Sequence, residues 1–261
     1  MTTQTESPKT PGSPPPLRPQ ADDVEMTFTE HLAELRSRLL IAIAAVGITS
    51  VAAFPLMPTV LTFVERTFLD GIQLHVFSPA ETIRVYIKLS LLLGIVVSMP
   101  VVLYEIYAFV APALDRRLRS RIPWYVLPSF IMSALGIAFC GLVVLPYVLR
   151  ALMRLNASAG LVDTYQLEPT VGFITLMLGI FAVMFQLPIL MAILASVGIV
   201  NAKMLADKWR HATLGIFIAA GIAAPDGNPL TMALLALPLL ALYLASIVVV
   251  RFAQPKIARA S

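Results

Sequence analysis

Residues 28–40 read FTEHLAELRSRLL, and the seventeen residues that follow carry no charged side chain. An uncharged run of this length predicts a membrane-spanning helix, because about 20 apolar residues cross the hydrocarbon core of a bilayer. The whole chain has the same character, since 58% of its 261 residues are hydrophobic and only 13% are charged. Its mean hydropathy is +0.84. These values predict an all-α membrane protein rather than a soluble domain.

Six apolar segments follow one another along the chain and predict six membrane-spanning helices. The segments are 39–57, 83–104, 124–147, 170–195, 212–224 and 230–250. The fifth has only thirteen residues before Pro225. At a rise of about 1.5 Å per residue it covers roughly 20 Å, less than the ~30 Å hydrocarbon core. We therefore expect this helix to stop part-way or the bilayer to thin around it.

The two ends of the chain differ from this apolar middle. The first 25 residues contain six prolines and almost no large apolar side chain. This composition predicts a disordered tail at 1–25 that lacks the features of a cleaved secretory signal. We assign residues 26–252 to one membrane domain and 253–261 to a C-terminal tail. The single cysteine, Cys140, allows no disulfide framework and no thiol metal site.

The distribution of Lys and Arg predicts the orientation, because cytoplasmic loops retain them. Clusters of basic residues flank the first segment, follow the second and fourth, and end the chain, so all lie on one side of the membrane. They are Arg36, Arg38, Arg116, Arg117, Arg119, Arg121, Lys203, Lys208, Arg210, Arg251, Lys256 and Arg259. Both termini are therefore predicted to be cytoplasmic.

Prolines interrupt the apolar segments and predict bent helices that enclose a concave face, since each proline frees a backbone carbonyl. They are Pro55, Pro100, Pro128, Pro146, Pro188 and Pro238. Such bends are also common in membrane helices without any functional meaning. The concave bundle is therefore an expectation about shape alone.

The stretch that precedes the first span has two faces. Thr27 and Glu30 fit a capping box, and leucines recur at helical spacing, so we expect a short amphipathic helix along the membrane surface. His31, Glu34 and Arg38 share its other face. Spacing alone favours a simple surface pair of Glu34 with Arg38, worth about 0.3–0.5 kcal/mol.

Motifs of catalysis are missing from the sequence, which holds no HExxH, GxSxG or Walker-type loop and has scattered histidines. We therefore predict no enzyme activity, no cofactor, no metal site and no nucleic-acid partner. A multi-span small-molecule or ion carrier is the alternative, although such carriers usually show repeated halves and charged groups at mid-membrane. A membrane-embedded enzyme would require a catalytic set that the motifs do not supply.

Four pieces of the sequence resemble the TatC family, the multi-spanning receptor of twin-arginine protein translocation. They are HLAELRSRLL, the segment from Ser78 to Leu114, FQLPIL in the fourth span, and PD at 225 and 226. The resemblance implies transport of folded proteins across the cytoplasmic membrane, driven by the proton-motive force. It also implies partners: signal peptides with two adjacent arginines, single-span TatA/TatB-type subunits, further copies of the chain, and membrane lipid.

The resemblance also implies a signal-binding site at the cytoplasmic face. Glu34 matches the family's signal-binding glutamate, with Arg36 beside it, and Phe109 and Pro112 match aromatic and proline positions of the loop after span two. Leu118 stands where the family usually has a second glutamate. Asp115 or Glu105 would compensate, and we favour Glu105 because it lies at the cytoplasmic end of span two, where a carboxylate is expected to have a functional role. Asp115 has the alternative role of neutralising its arginine-rich neighbours.

A second set of residues matches family positions for partner helices. Gln186 is a polar side chain near the middle of span four, and we expect it to line the concave face; the alternative is an amide bonded to a carbonyl freed beside Pro188. The outer end of span five contributes Pro225 and Asp226, followed by Thr231. Asp226 is also a good turn former in PDGNP.

Overall fold

Helices account for nearly all of the described chain, because a backbone in lipid must satisfy its own hydrogen bonds. The computed structural model describes residues 28–69, 72–110, 123–158, 160, 164–196, 198–224 and 229–253. In these ranges the α-helices are α1 Phe28–Ala53, α2 Met57–Phe68, α3 Glu81–Val110, α4 Pro123–Phe139, α5 Leu145–Ser158, α6 Leu167–Met184, α7 Leu187–Ser196, α8 Ala202–Asp207, α9 Trp209–Ala223 and α10 Pro229–Ala253. Two short strands, β1 Leu74–His75 and β2 Tyr165–Gln166, pair in parallel.

Five helical stretches in the described residues are long and apolar enough to cross a membrane: Thr29–Phe68, Glu81–Phe109, Leu127–Ser158, Leu167–Ser196 and Thr231–Phe252. The fifth predicted segment corresponds to α9, which has 15 residues. At about 1.5 Å per residue, α9 reaches roughly 22 Å and stays shorter than the hydrocarbon core.

Breaks in the helices lie at or next to three of the six prolines that were predicted to bend them. A 3-10 turn, Phe54–Leu56, contains Pro55, and a π-helical turn, Cys140–Val144, precedes Pro146. Residues Phe185 and Gln186 form a turn between α6 and α7, just before Pro188. These breaks arise because proline cannot donate a backbone hydrogen bond and crowds the preceding turn.

Helix α1 joins the opening stretch of the sequence to the first predicted span. A short amphipathic helix was predicted to run into that span, and α1 runs unbroken through both for 26 residues. No proline or glycine occurs between Phe28 and Val46, so nothing in the sequence interrupts the helix. The opening stretch, residues 28–40, and the apolar residues up to Ala53 therefore form one helix that is about 39 Å long.

The core lies mainly between α3, α5 and α6, where Val85, Val148, Val171 and Phe181 are fully buried. α1 packs along α3, and α7 packs along α10. A smaller apolar cluster joins α8 to α10 through Leu205 and Tyr243. Helix α3 thus contacts both α1 and α6, and it carries charged side chains near both of its ends.

Candidate functional site

The close crossing of α1 and α3 sets the position of the residues singled out in the opening stretch. A Cβ built on Gly94 would lie 2.0 Å from Ser50 Oγ and 2.7 Å from Ser50 N, so only glycine fits there. The hydroxyl of Thr49 donates to the Gly94 carbonyl at 3.0 Å. This contact brings the first turns of α1 against the last turns of α3.

Three charged side chains meet where these turns adjoin; we call them the acidic cluster: Glu34, Arg38 and Glu105. Arg38 Nη2 donates to Glu34 Oε1 at 3.2 Å, and Arg38 Nη1 donates to Glu105 Oε2 at 3.1 Å. The predicted Glu34–Arg38 pair is confirmed. The structure also brings Glu105 to the same guanidinium, across 67 positions of sequence.

The acidic cluster has more negative than positive charge, because two carboxylates share one guanidinium. It is also partly enclosed, with side-chain exposures of 20% for Glu34, 31% for Arg38 and 9% for Glu105. Within the described part of the chain, the buried Oε2 of Glu34 has no hydrogen-bond partner. An unpaired carboxylate oxygen in a partly dry place is energetically costly, so a further hydrogen-bond donor at this oxygen would be stabilising.

An aromatic pair extends this site along the same face. The rings of His31 and Phe109 stack with centroids 4.4 Å apart and an interplanar angle of 17°. His31, Glu34 and Arg38 therefore all face α3, as their spacing indicates. Arg36 is exposed and lies about 200° around α1 from Glu34, so the structure does not bring these two together.

Four of the predicted site residues lie outside the described residues: Pro112 and Asp115, which follow α3, and Pro225 and Asp226, which precede α10. The loop position Leu118 lies outside them as well. Thr231, in the first turn of α10, is buried with 1% exposure. The predicted roles of these residues stay predictions.

Gln186 is buried at the turn between α6 and α7, and its amide binds another helix. Its Nε2 donates to the Ser129 carbonyl of α4 at 3.0 Å. The acceptor is therefore not a carbonyl beside Pro188, as the alternative interpretation had it. Whether Gln186 also lines a face that a partner helix occupies stays a prediction. Its Oε1 has no partner among the described residues.

Sequence reasoning missed a second charged cluster, at the opposite end of α3, which we call the basic cluster: Arg84, Lys88 and Glu168. Glu168 Oε2 accepts from Arg84 Nε at 2.6 Å, and Glu168 Oε1 accepts from Lys88 Nζ at 3.0 Å. The sequence contained part of the evidence, because Arg84 and Lys88 lie inside the predicted second span and cations there require a partner. The sequence did not reveal that the partner begins α6.

A groove of about 750 Å³ starts at Lys88 and Glu168 and continues between α3 and α6; we call it the α3–α6 groove. Its walls are apolar and include Leu91, Ile95, Phe173, Leu176 and Ile180, with Ile222 of α9 at its border. This groove is a concave apolar surface between these two helices. In the described ranges, no group of three or more His, Cys, Asp or Glu side chains is arranged to hold a metal ion.

Comparison with known proteins identifies the family. The model of the family described as "TatC: Sec-independent protein translocase protein (TatC)" matches residues 30–238. A chloroplastic Sec-independent protein translocase protein TATC from Arabidopsis thaliana is 32% identical over 85% of this chain. The match covers 66% of that relative, so the chain spans about two thirds of its length.

Bacterial relatives match over more of their own length. The Sec-independent protein translocase protein TatC of Aquifex aeolicus is 33% identical over 88% of this chain and 97% of its own. The Deinococcus radiodurans protein of the same name is 33% identical over 91% of this chain and 92% of its own.

A solved structure agrees with the sequence comparisons. The crystal structure described as twin arginine translocase receptor TatC has a TM-score of 0.77 and 30% identity, covering 86% of this chain and 99% of that one. This likeness confirms the predicted membrane fold of six helices, of which five are long and α9 is short. The chain is thus a multi-pass membrane protein, and it belongs to the TatC family.

Proposed function

We propose that this chain is the signal-peptide receptor and core scaffold of a twin-arginine translocase, which moves folded proteins across the cytoplasmic membrane using the proton-motive force. It acts as a component of a translocase and not as an enzyme. Its partners are twin-arginine signal peptides, single-span TatA/TatB-type subunits and further copies of the chain.

The acidic cluster carries this proposal. A signal with two arginines presents two guanidinium groups, and carboxylates in a partly dry site bind guanidinium groups through strong charge-assisted hydrogen bonds. Arg38 occupies one side of Glu34 and of Glu105, and the second oxygen of Glu34 is unpaired among the described residues. One arginine of the signal binds this oxygen. Phe109 packs against the apolar part of the signal, and Pro112 and Asp115 belong to the same site.

The orientation of the chain follows from its charge distribution. We infer that both termini are cytoplasmic, with residues 1–25 and 253–261 as tails on that side of the membrane domain 26–252. The acidic and basic clusters are separated by about 17 to 21 residues along α3, or roughly 30 Å, which equals the thickness of a hydrocarbon core. The acidic cluster then lies at the cytoplasmic face, where signals arrive, and the basic cluster at the outer face.

The scaffold role uses the helices that surround the concave face. The buried Gln186, together with Pro225, Asp226 and Thr231 at the end of α9 and the start of α10, contributes to the docking of single-span partners. Polar groups at such depth in a membrane usually face a partner helix or a cavity.

Binding of a labelled signal peptide to the full chain in detergent tests the receptor role. We compare a twin-arginine peptide with a twin-lysine peptide on the unmodified chain and on Glu34→Gln and Glu105→Gln. Loss of a hydrogen-bonded charge partner at an interface costs about 2–5 kcal/mol, so each variant should bind the twin-arginine peptide at least about 30-fold more weakly.

Glu65→Gln is the matched control, because Glu65 lies in α2, away from the acidic cluster. It should bind the peptide as the unmodified chain does. Equal affinity for both peptides in all variants would contradict the receptor role and leave Glu34 as a helix-surface charge. Uptake of a small solute by vesicles that contain the chain alone would support the carrier alternative instead.

A further inference from the structure

The basic cluster and the α3–α6 groove adjoin each other, and the function proposed above uses neither the charges nor the apolar walls next to them. Lys88 and Glu168 belong to both, since they line the end of the groove at which the basic cluster lies. Arg84 lies one turn earlier on α3. This combination of charge at one end and apolar surface along the rest suits an amphipathic ligand.

The charge of the basic cluster is positive, because two cations share the single carboxylate of Glu168. A guanidinium has five N–H donors and an ammonium three, more than the roughly four lone-pair sites that one carboxylate offers. Glu81 lies nearby on α3 but is buried with 1% exposure, and its Oε1 accepts hydrogen bonds from Phe77 N and Gln166 Nε2. The solvent-exposed charge at this end of α3 is therefore that of the basic cluster. The side chains of Arg84 and Lys88 are 48% and 46% exposed and therefore accessible to a further anion.

The dimensions of the groove suit an acyl chain. It follows α6 from Glu168 to Met184, which at about 1.5 Å per residue is roughly 24 Å. One leaflet of a bilayer contributes only about half of the ~30 Å hydrocarbon core. Glycines at 172 and 179 keep α6 narrow here: a Cβ on Gly172 would lie 3.2 Å from Lys88 Nζ, and one on Gly179 would lie 3.4 Å from Leu92 Cδ1.

We propose that the α3–α6 groove binds one anionic phospholipid, with its headgroup phosphate at Arg84 and Lys88 and an acyl chain along the apolar walls. Charge complementarity selects the anionic headgroup, and the apolar walls select a lipid over free phosphate. The lipid comes from the leaflet at the Glu81 end of α3. This site is independent of signal-peptide binding, so the two proposals can fail separately.

Native mass spectrometry of the delipidated full chain tests the proposal by titration with phosphatidylglycerol and phosphatidylcholine of identical acyl chains. A cation near an anionic lipid contributes about 1 kcal/mol, so two cations should favour phosphatidylglycerol by roughly 30-fold in Kd. Arg84→Gln with Lys88→Gln should remove this preference. Leu176→Trp, which fills the groove from an exposed wall position and leaves the charges intact, should weaken binding of both lipids.

Arg150→Gln with Arg154→Gln is the matched control, because it removes two cations that do not line the α3–α6 groove. It should keep the preference for phosphatidylglycerol. Equal affinity of the unmodified chain for both lipids would overturn the proposal, and so would an unchanged lipid affinity in Leu176→Trp. Should the double variant at Arg84 and Lys88 fail to fold, Leu176→Trp and Lys88→Gln still decide the result.

Discussion

The two ends of α3 carry clusters of three charged side chains with opposite composition. The acidic cluster has two carboxylates around one guanidinium, whereas the basic cluster has two cations around one carboxylate. They also differ in enclosure, since the Glu105 side chain is 9% exposed and that of Lys88 is 46% exposed. If both proposals hold, one helix offers a cation site at one end and an anion site at the other, and we expect the more enclosed end to bind its ligand more strongly.

The largest effect is expected when a substitution gives the acidic cluster the charge composition of the basic cluster. Glu105→Lys leaves two cations and one carboxylate beside α1, and it should abolish measurable binding of the twin-arginine peptide. Removing a buried partner also costs about 3–5 kcal/mol, so we expect a lower free energy of unfolding. Peptide titration and denaturant unfolding in the same detergent measure the two effects.

Arg84→Glu is the control for this reversal, because it changes charge by the same amount at the other end of α3. Its affinity for the signal peptide should stay within about twofold of the unmodified chain, since exposed charges about 30 Å apart are screened at physiological salt. A gain of affinity in Arg84→Glu as large as the loss in Glu105→Lys would show that total charge, and not the acidic cluster, controls binding, because the two substitutions change the net charge in opposite directions.

The next test changes the crossing that holds the acidic cluster together. Gly94→Ala places a Cβ 2.0 Å from Ser50 Oγ, so α1 and α3 must move apart. Overpacking of this kind typically costs about 1–3 kcal/mol, and we expect thermal unfolding at a lower temperature together with weaker peptide binding. Gly47→Ala is the control, because its Cβ would meet nothing within 4 Å and should not destabilise the chain.

A smaller effect should follow from loss of the aromatic stack near the acidic cluster. Phe109→Leu keeps an apolar side chain but removes the ring that stacks on His31, which should lower the free energy of unfolding by about 0.5–1.5 kcal/mol. Phe77→Leu provides the comparison, since Phe77 is 68% exposed and lies 6.5 Å from the His75 ring. Denaturant unfolding measures the free energy of unfolding of both variants. A larger decrease in Phe77→Leu than in Phe109→Leu would contradict the prediction.

The smallest expected effect is a difference in how salt changes the contribution of each cluster to the melting temperature. The shift in melting temperature caused by Glu168→Gln should shrink as sodium chloride rises, because exposed charges are screened within a Debye length of about 10 Å at 0.1 M. The shift caused by Glu105→Gln should change less, since this side chain is 9% exposed, whereas that of Glu168 is 20% exposed and its partners Arg84 and Lys88 are nearly half exposed. Similar salt dependence of both shifts would show that the two ends are equally open to solvent.

Sequence reasoning predicted the features that depend on local pattern. The apolar segments indicated the helices, and the i, i+4 spacing of Glu34 and Arg38 indicated their ion pair. Glu105 was favoured as a signal-binding residue because of its place at the end of a span, and the structure shows that it accepts a hydrogen bond from Arg38, which the sequence did not predict. Whether Glu105 also binds a signal stays a prediction.

The features that the sequence did not reveal depend on which helices become neighbours. Arg84 and Glu168 are separated by 84 positions, and nothing in either segment specifies that α3 packs against α6. The same limit applies to Gln186, whose polarity indicated a partner but not that the partner would be the Ser129 carbonyl.

The crossing at Gly94 also constrains how this chain can evolve. Two of the atoms that a Cβ would meet are the N and Cα of Ser50, which every amino acid possesses. No exchange at position 50 can therefore compensate for a larger residue at position 94. We expect glycine to persist at position 94 among functional descendants, while Gly47, on the open side of the same helix pair, drifts freely.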